Sequence, residues 1–450
     1  MADKLYDYSP KFRVDAHQVR NDLANYMLVD GFDFVLDLDR SSGCSFVEAR
    51  NGRPYLDFFT CFASMPVGMN HPKMIDEDFI KYLGMMAMNK PSNSDVYTEA
   101  LATFVKTFFN IAVPDEFKYS FFIDGGALAV ENALKAAFDR KVRKNIKKGI
   151  AGEKGHKVIH FRQAFHGRSG YTMSLTNTDP NKTKYFPQFE WPRIVNPKLE
   201  FPLTEEVIEK TEKLERQAEK EIKQAFADNP DDIAAIIVEP IQGEGGDNHF
   251  RPEFFRMLRR IADENDALLI FDEIQTGVGI TGKWWAHQHF NVTPDILVFG
   301  KKMQICGILS TDRVDDEPEN VFRTSSRINS TWGGSLVDMV RSTRYLEIID
   351  EDRLVDNAAA MGTRLMENLV ELEYDNKDII SNVRGQGLFC AFDLPTPAKR
   401  GELISAIFDE GMIILPCGEK SIRFRPPLNI DEDTIEKGID IIKKCIVKIG

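Results

Sequence analysis

Pro294-Asp295-Ile296-Leu297-Val298-Phe299-Gly300-Lys301-Lys302 is an apolar run that stops at a glycine and is followed at once by two lysines. A short apolar run bounded by turn formers reads as a strand buried on both faces, the kind found in parallel sheets. Lysine is rarely buried without a partner or a task. In open α/β sheets, ligands gather at the carboxyl ends of the strands. Lys301 is therefore a candidate Schiff-base lysine. Taken alone, a lysine that merely leaves the strand for solvent explains the pattern better; the neighbouring stretches decide between the two.

Working outward, residues 267–271, 233–238, 157–161 and 119–123 read as further core strands. Helical stretches lie between them, over 252–264 with Pro252 near its start, over the amphipathic part of 198–226, and over 128–144. Another helix is expected over 97–109. Such alternation predicts a mostly parallel sheet with crossover helices, the α/β class. Nearer the start, the runs 45–49 and 55–59 flank Asn51-Gly52, a hairpin signal. Residues 1–40 read as a polar arm, helical in part. Beyond about 335 the texture becomes α+β: helices over 336–349, 353–372, 400–410 and 431–447, and strand-like runs at 388–394 and 412–415. The expected organisation is an N-terminal arm and small-domain segment (1–70), a large domain (71–335) and a C-terminal small domain (336–450).

The 450 residues carry a net charge of −13, from 57 basic and 70 acidic side chains. That balance repels a phosphate backbone, so no nucleic-acid partner is expected. The one basic run, 140–148, reads as a solvated helix face. No apolar run is long enough to span a bilayer, and Met1-Ala2-Asp3-Lys4-Leu5-Tyr6 lacks the apolar core of a signal peptide. The six cysteines are scattered singly, which reads as reduced thiols in a cytoplasmic protein. His287 and His289 form the only close histidine pair and have no clustered ligands, so no metal is expected.

Four more stretches stand at strand ends. Asp124-Gly125-Gly126-Ala127 opens a helix, where unpaired backbone N–H groups and the helix dipole favour phosphate. The chain has neither GxGxxG there nor a Walker motif. Asp272-Glu273 ends the 267–271 strand. A buried carboxylate needs a partner, and with no histidine nearby in sequence a protonated ring nitrogen is the expectation. Phe165-His166-Gly167-Arg168 offers an aromatic for stacking and a guanidinium for a carboxylate. Glu239-Pro240-Ile241-Gln242-Gly243-Glu244-Gly245-Gly246 places two carboxylates in a glycine-rich loop. Farther on, Arg423-Phe424-Arg425 offers a second carboxylate reader, and alternation aims Arg423 away from the core. Phosphate turn, stacking aromatic, ring-nitrogen acid and lysine together are what pyridoxal phosphate chemistry requires.

The chain resembles the class III (omega) aminotransferases of pyridoxal phosphate fold type I over nearly its whole length. The most specific likeness lies in Asp272-Glu273-Ile274-Gln275-Thr276-Gly277, Gly279-Ile280-Thr281-Gly282, Pro294-Asp295-Ile296 and Gly300-Lys301. The stretches Gly125 to Lys135, Ile241 to Asp247 and Asn329-Ser330-Thr331-Trp332-Gly333-Gly334 resemble the members that act on the ε-amine of L-lysine. The resemblance implies a large domain with a seven-stranded, mostly parallel sheet and a small α+β domain. It also implies a homodimer with the active site at the subunit interface. Lys301 would carry the cofactor, Asp272 would pair with its pyridine nitrogen, Ile274 and Phe165 would cover the ring faces, and Gln275 would meet the ring oxygen. Gly126, Ala127 and, from the second subunit, Thr331 would bind the phosphate. Many family members have Ser-Gly where this chain has Gly125-Gly126, which removes one hydroxyl ligand.

The implied reaction moves the ε-amino group of L-lysine to 2-oxoglutarate. Arg168, Glu244, Asn329 and Arg423 would form the substrate site. Arg168 would hold the α-carboxylate of lysine while Glu244 pairs with the surplus Arg423. With 2-oxoglutarate both arginines would take carboxylates, and Glu244 would swing away. Competing readings are an omega-aminotransferase for ornithine, 4-aminobutyrate or diaminobutyrate, a mutase or decarboxylase of the same fold, and a cofactor-binding regulator without turnover. The last lacks support, since no basic DNA-binding unit is present.

Overall fold

The computed structural model describes residues 8–449; the Met1-to-Tyr6 stretch lies outside them. Seven strands form the main sheet, in the spatial order Phe117–Ile123, Cys306–Thr311, Ile296–Phe299, Leu268–Asp272, Ile233–Val238, Lys157–Phe161, Arg193–Ile194. Cys306–Thr311 runs antiparallel to both its neighbours, and the remaining pairings are parallel. The sheet is thus the mostly parallel seven-stranded one expected. The strands Cys306–Thr311 and Arg193–Ile194 escape a reading of the sequence. The first carries Gly307 and two hydroxyl residues; the second spans two residues and is defined by its pairing alone.

The central strands are buried along their whole length. Their side chains alternate between two apolar layers. Ala235, Ile237, Leu268, Ile270, Ile296 and Val298 face the helix Gly126–Lys147, which packs with a small-residue face of Ala129, Ala133, Ala136 and Ala137. Ile236, Val238, Leu269 and Phe271 pack instead with Phe254, Phe255, Leu258 and Ile261 of Pro252–Glu264 and with Ala218 and Ile222 of Glu205–Asp228. Each fully buried phenylalanine or isoleucine contributes about 2 kcal/mol through burial.

Two smaller sheets complete the architecture. Ser45–Val47 and Pro54–Asp57 form the expected hairpin, and Met412–Ile413 joins it in parallel, so the two ends of the chain share one sheet. The other sheet orders Ser381–Gln386, Phe389–Asp393, Ser421–Phe424 and Leu415–Cys417, all antiparallel. Helices Leu354–Asp375, Pro397–Asp409 and Glu432–Ile449 pack beside these sheets, and the core they bury is continuous with part of the main sheet. The 412–415 run is split between the two sheets. No helix among the described residues is long and apolar enough to cross a membrane.

The basic run 140–148 corrects the expectation of a solvated face. Arg140 is 1% exposed. It donates to Asp266 at 2.8 Å and to Asp316 at 2.7 Å, and Lys144 reaches the same two carboxylates at 2.7 Å. Lys141 is buried and donates to the carbonyls of Asn265 and Asp266. The run pins the main helix to the turn before Leu268–Asp272 and to the turn after Cys306–Thr311. Truncating one member of such a buried network costs more than an exposed pair gives. Arg140→Ala is expected to lower stability by about 2 kcal/mol, read as the midpoint of urea unfolding. Lys148→Ala, on the exposed end of the same helix, should cost under about 0.5 kcal/mol.

Candidate active site

Every parallel strand but the two-residue one delivers a functional stretch at its carboxyl end. Asp272 lies opposite Val298 in the parallel pairing of Leu268–Asp272 with Ile296–Phe299. Lys301 follows three residues on. Gly300 is needed there because a Cβ would meet Cys306 Sγ at 2.8 Å. Lys301 itself takes φ +51°, a left-handed conformation that costs an L-residue about 1–2 kcal/mol. The chain turns through Lys301–Met303, and the Gln304 side chain ties the carbonyl of Lys301 (3.2 Å) to that of Ser64 (2.7 Å).

The structure separates the two adjacent lysines. Lys302 is buried, and its ammonium donates to the Gln275 carbonyl at 2.7 Å. Lys301 has no such side-chain bond among the described residues. Burial first, then the nearby guanidinium groups of Arg423 and Arg425, bring its amine down to about 8. It is the lysine poised to react near neutral pH.

Asp272 is buried; its Oδ1 accepts the Ile274 N–H at 3.1 Å and its Oδ2 lies 2.8 Å from His166 Nδ1. No histidine lies near Asp272 in sequence, but the fold brings one to it. His166 comes from a loop 106 residues earlier. Burial pushes the imidazole down, yet the Asp272 carboxylate outweighs it and leaves the ring above its ordinary value. Glu239 completes the group. Burial lifts its carboxyl to about 7, against N–H bonds from Phe165 at 2.9 Å and Gly243 at 3.2 Å.

The Gly125-Gly126 turn opens a helix. Gly125 sits at φ +99° and caps Gly126–Lys147 without any side-chain bond, so first-turn N–H groups are left for a ligand. A Cβ on Gly126 would lie 3.1 Å from Ile274 Cδ1, and one on Gly167 would lie 2.5 Å from the Ala127 Cβ. Gly126, Ala127, Ile274 and the 165–168 loop thus converge. Gln275 is oriented by Arg425, which donates to its Oε1 at 3.0 and 2.8 Å. Arginine has no acceptor, so the amide must present its oxygen there and keep its NH₂ free to donate. Arg425 is itself buried, forked onto Asp247 at 2.9 and 2.6 Å and laid 3.3 Å over the Phe389 ring.

At the substrate end, Arg423 is 2% exposed. As alternation placed it, it lies on the face opposite Ile422 and Phe424, which join the apolar core, and Ser421–Phe424 is an inner strand buried on both sides. Its Nη2 donates to Glu244 Oε2 at 2.8 Å, while Nε and Nη1 are buried without partners. Glu244 Oε1 accepts from Lys182 at 2.5 Å. Burial pushes the Glu244 carboxyl up, but Arg423 and Lys182 outweigh it and hold it below its usual range. Arg168, Asn329 and Thr331 are exposed, and none bonds to the Lys301 corner. The loop of the last two is tied to Asn93 and Ser94 of its own chain.

A further element had no sequence signal. Thr60, Cys61, Phe62 and Ala63 are four consecutive non-glycine residues at φ 41° to 64°. Asp57 Oδ1 accepts from Phe59 and Thr60 at 2.9 and 2.7 Å, and the Thr60 hydroxyl donates to the Arg425 carbonyl at 2.7 Å. This left-handed turn, through Ser64 and Gln304, braces the lysine loop.

The donor set fits a flat phosphorylated pyridine: an uncapped helix start, an oriented buried carboxylate, an amide NH₂ and an unpaired lysine. Comparison with known proteins agrees. The family described as aminotransferase class-III matches residues 27–446. L-lysine-epsilon aminotransferase of Mycobacterium tuberculosis is 50% identical over 430 residues, 95% of each chain. That of Streptomyces clavuligerus is 46% identical over 448 residues, 99% of this chain and 97% of the other. The structure of lysine aminotransferase from M. tuberculosis in its internal aldimine form superposes with a TM-score of 0.95 at 49% identity, covering 97% of this chain and 100% of that one. The chain belongs to the class III aminotransferase family, and its cofactor is pyridoxal phosphate.

Proposed function

We propose that the protein transfers the ε-amino group of L-lysine to 2-oxoglutarate. The products are L-glutamate and 2-aminoadipate 6-semialdehyde, which cyclises to piperideine-6-carboxylate. The observation that carries this reading is the buried Arg423–Glu244 pair beside Lys301. A guanidinium neutralised by an internal carboxylate suits two alternating substrates, one cationic and one with two carboxylates. The activity named for relatives 45–50% identical over 95–99% of this chain supports the same donor.

Bound pyridoxal phosphate supplies an electron-accepting ring that stabilises charge at the amine-bearing carbon. Asp272, oriented by His166, keeps the pyridine nitrogen protonated. Ile274 and Phe165 would cover the two ring faces, and the Gln275 amide would donate to the ring oxygen. The N–H groups of Gly126 and Ala127 would hold the phosphate, joined by Thr331 of a second subunit. Lys301 would anchor the cofactor and then carry the proton, a task suited to an amine near 8.

Arg168 holds the far carboxylate of either substrate, with Asn329 beside it. While lysine is bound, Glu244 neutralises Arg423, since an unpaired buried guanidinium near a cationic substrate is costly. With 2-oxoglutarate, the unpartnered Nε and Nη1 of Arg423 receive the α-carboxylate and Glu244 gives way. The homodimer belongs to this reading. Asn329 and Thr331 are exposed on the single chain, and so are the apolar residues Phe62, Met85, Met88 and Trp332. Large apolar side chains left exposed on the single chain support an interface there.

Three outcomes follow. Lys301→Ala should abolish the Schiff-base absorbance and cost about a thousandfold or more in turnover, while Lys302→Met should keep the absorbance. Capture of pyridoxal phosphate by the apoprotein should speed up with rising pH and level off above about 8. Below that value the amine is protonated and cannot attack, so the rate should fall about tenfold per pH unit. Glu244→Ala should slow the lysine half-reaction more than the 2-oxoglutarate half-reaction, measured by single-turnover spectra. Equal loss in both would refute the switching pair.

A further inference from the structure

Glu244 does not serve Arg423 alone. Its two oxygens are divided between cations from different parts of the fold: Oε2 to Arg423 Nη2 at 2.8 Å, and Oε1 to Lys182 Nζ at 2.5 Å. Lys182 ends the 3₁₀ turn Pro180–Lys182, and its ammonium also stands 5.3 Å from the centre of the Phe165 ring.

The loop that bears Glu244 cannot follow its side chain. A Cβ on Gly243 would come within 2.4 Å of Gln275 Oε1, and one on Gly245 within 2.0 Å of the Gln163 carbonyl oxygen. The Glu244 carbonyl accepts the Gly418 N–H at 2.9 Å. The backbone is therefore packed against its surroundings on both sides of the residue. Any release of Arg423 must be a rotation of the Glu244 side chain, whose reach is a few bonds. A carboxylate released into a site this buried is expensive unless a second cation stands within that reach.

We propose that Lys182 is the receiving partner of Glu244, a specificity residue that holds the carboxylate when 2-oxoglutarate takes Arg423. Lysine suits the task better than arginine would. Its ammonium is a point charge on a flexible stem and can follow a rotating carboxylate, whereas a guanidinium fork fixes one geometry. The side chains of Lys182 and Glu244 are 24% and 28% exposed, against 3% for Arg423. The receiving end is thus the wetter one, where a charge costs less to hold. The ammonium also stands near the Phe165 ring, which the proposed function places on the cofactor.

The inference rests on the two-substrate reading above, and its test separates the two. Single-turnover half-reactions with L-lysine and with 2-oxoglutarate are measured for the holoenzyme, Lys182→Met, Lys182→Arg, Glu244→Ala and the double variant Lys182→Met/Glu244→Ala. Without Lys182 the carboxylate has only Arg423 to hold. The 2-oxoglutarate half-reaction of Lys182→Met should then lose about tenfold more than the lysine half-reaction. Lys182→Arg should restore part of that difference. In the Glu244→Ala background, Lys182→Met should add no selective loss. Equal loss in both halves, or a greater loss with lysine, overturns the proposal. So does a selective loss that persists without Glu244, which would mean that Lys182 binds the oxoacid directly. If the wild type fails to turn over L-lysine, the donor assignment falls instead, and the same split is read with the amine that does react.

Discussion

The site depends on one constraint: several charged side chains are confined to one dry edge of a sheet and must neutralise one another. Asp272, Glu239, Arg423, Arg425, Asp247 and Lys302 are all withdrawn from water or nearly so, and Glu244 is partly so. Each finds a partner across a boundary between elements that are distant in the chain. Asp272 meets His166, Arg425 meets Asp247 and Gln275, Arg423 meets Glu244, and Lys302 meets the Gln275 carbonyl. Lys301 is the exception, lacking any such bond among the described residues while burial first, and then Arg423 and Arg425, lower its affinity for a proton. A reactive amine is what remains when every neighbour is spoken for.

This pairing links the main sheet to the four-stranded sheet. Arg425 spans the gap, with its side chain on Asp247 and Gln275, its N–H on the Phe58 carbonyl and its carbonyl on Thr60. Arg384 does likewise, donating to the carbonyls of Gly246 and Asp247. The glycine-rich loop that carries Glu244 is therefore clamped by two arginines of the four-stranded sheet. Loss of either clamp would move the loop as a whole, and with it the Glu244 carboxylate.

How much of this could be read from residues alone follows from the range of the interactions. The central strands were legible because four to six apolar residues in a row have few other fates. The parallel arrangement and the strand-end positions of Lys301, Asp272 and Gly126 came with them. Cys306–Thr311 was not legible, because the direction of a strand is a property of its partners. Arg140 was misread because a charged residue looks solvated until a carboxylate from elsewhere arrives, whereas Arg423 does meet Glu244 as expected. His166 and Arg425 stood inside quoted motifs, yet their roles depend on contacts across about 100 residues or more. Lys182 lay in no motif at all. The left-handed turn at Thr60–Ala63 has no glycine to announce it, since its strain is borne by Asp57, Gln304 and Arg425.

The account rests most directly on which amine the site accepts. A screen of L-lysine, L-ornithine, 4-aminobutyrate and diaminobutyrate against 2-oxoglutarate, with glutamate formation followed and the oxidised product identified, puts that to the test. The proposed function predicts that L-lysine is the preferred donor, with a product that cyclises to a six-membered piperideine. Preference for ornithine with a five-membered cyclic product, or for 4-aminobutyrate with none, would contradict it.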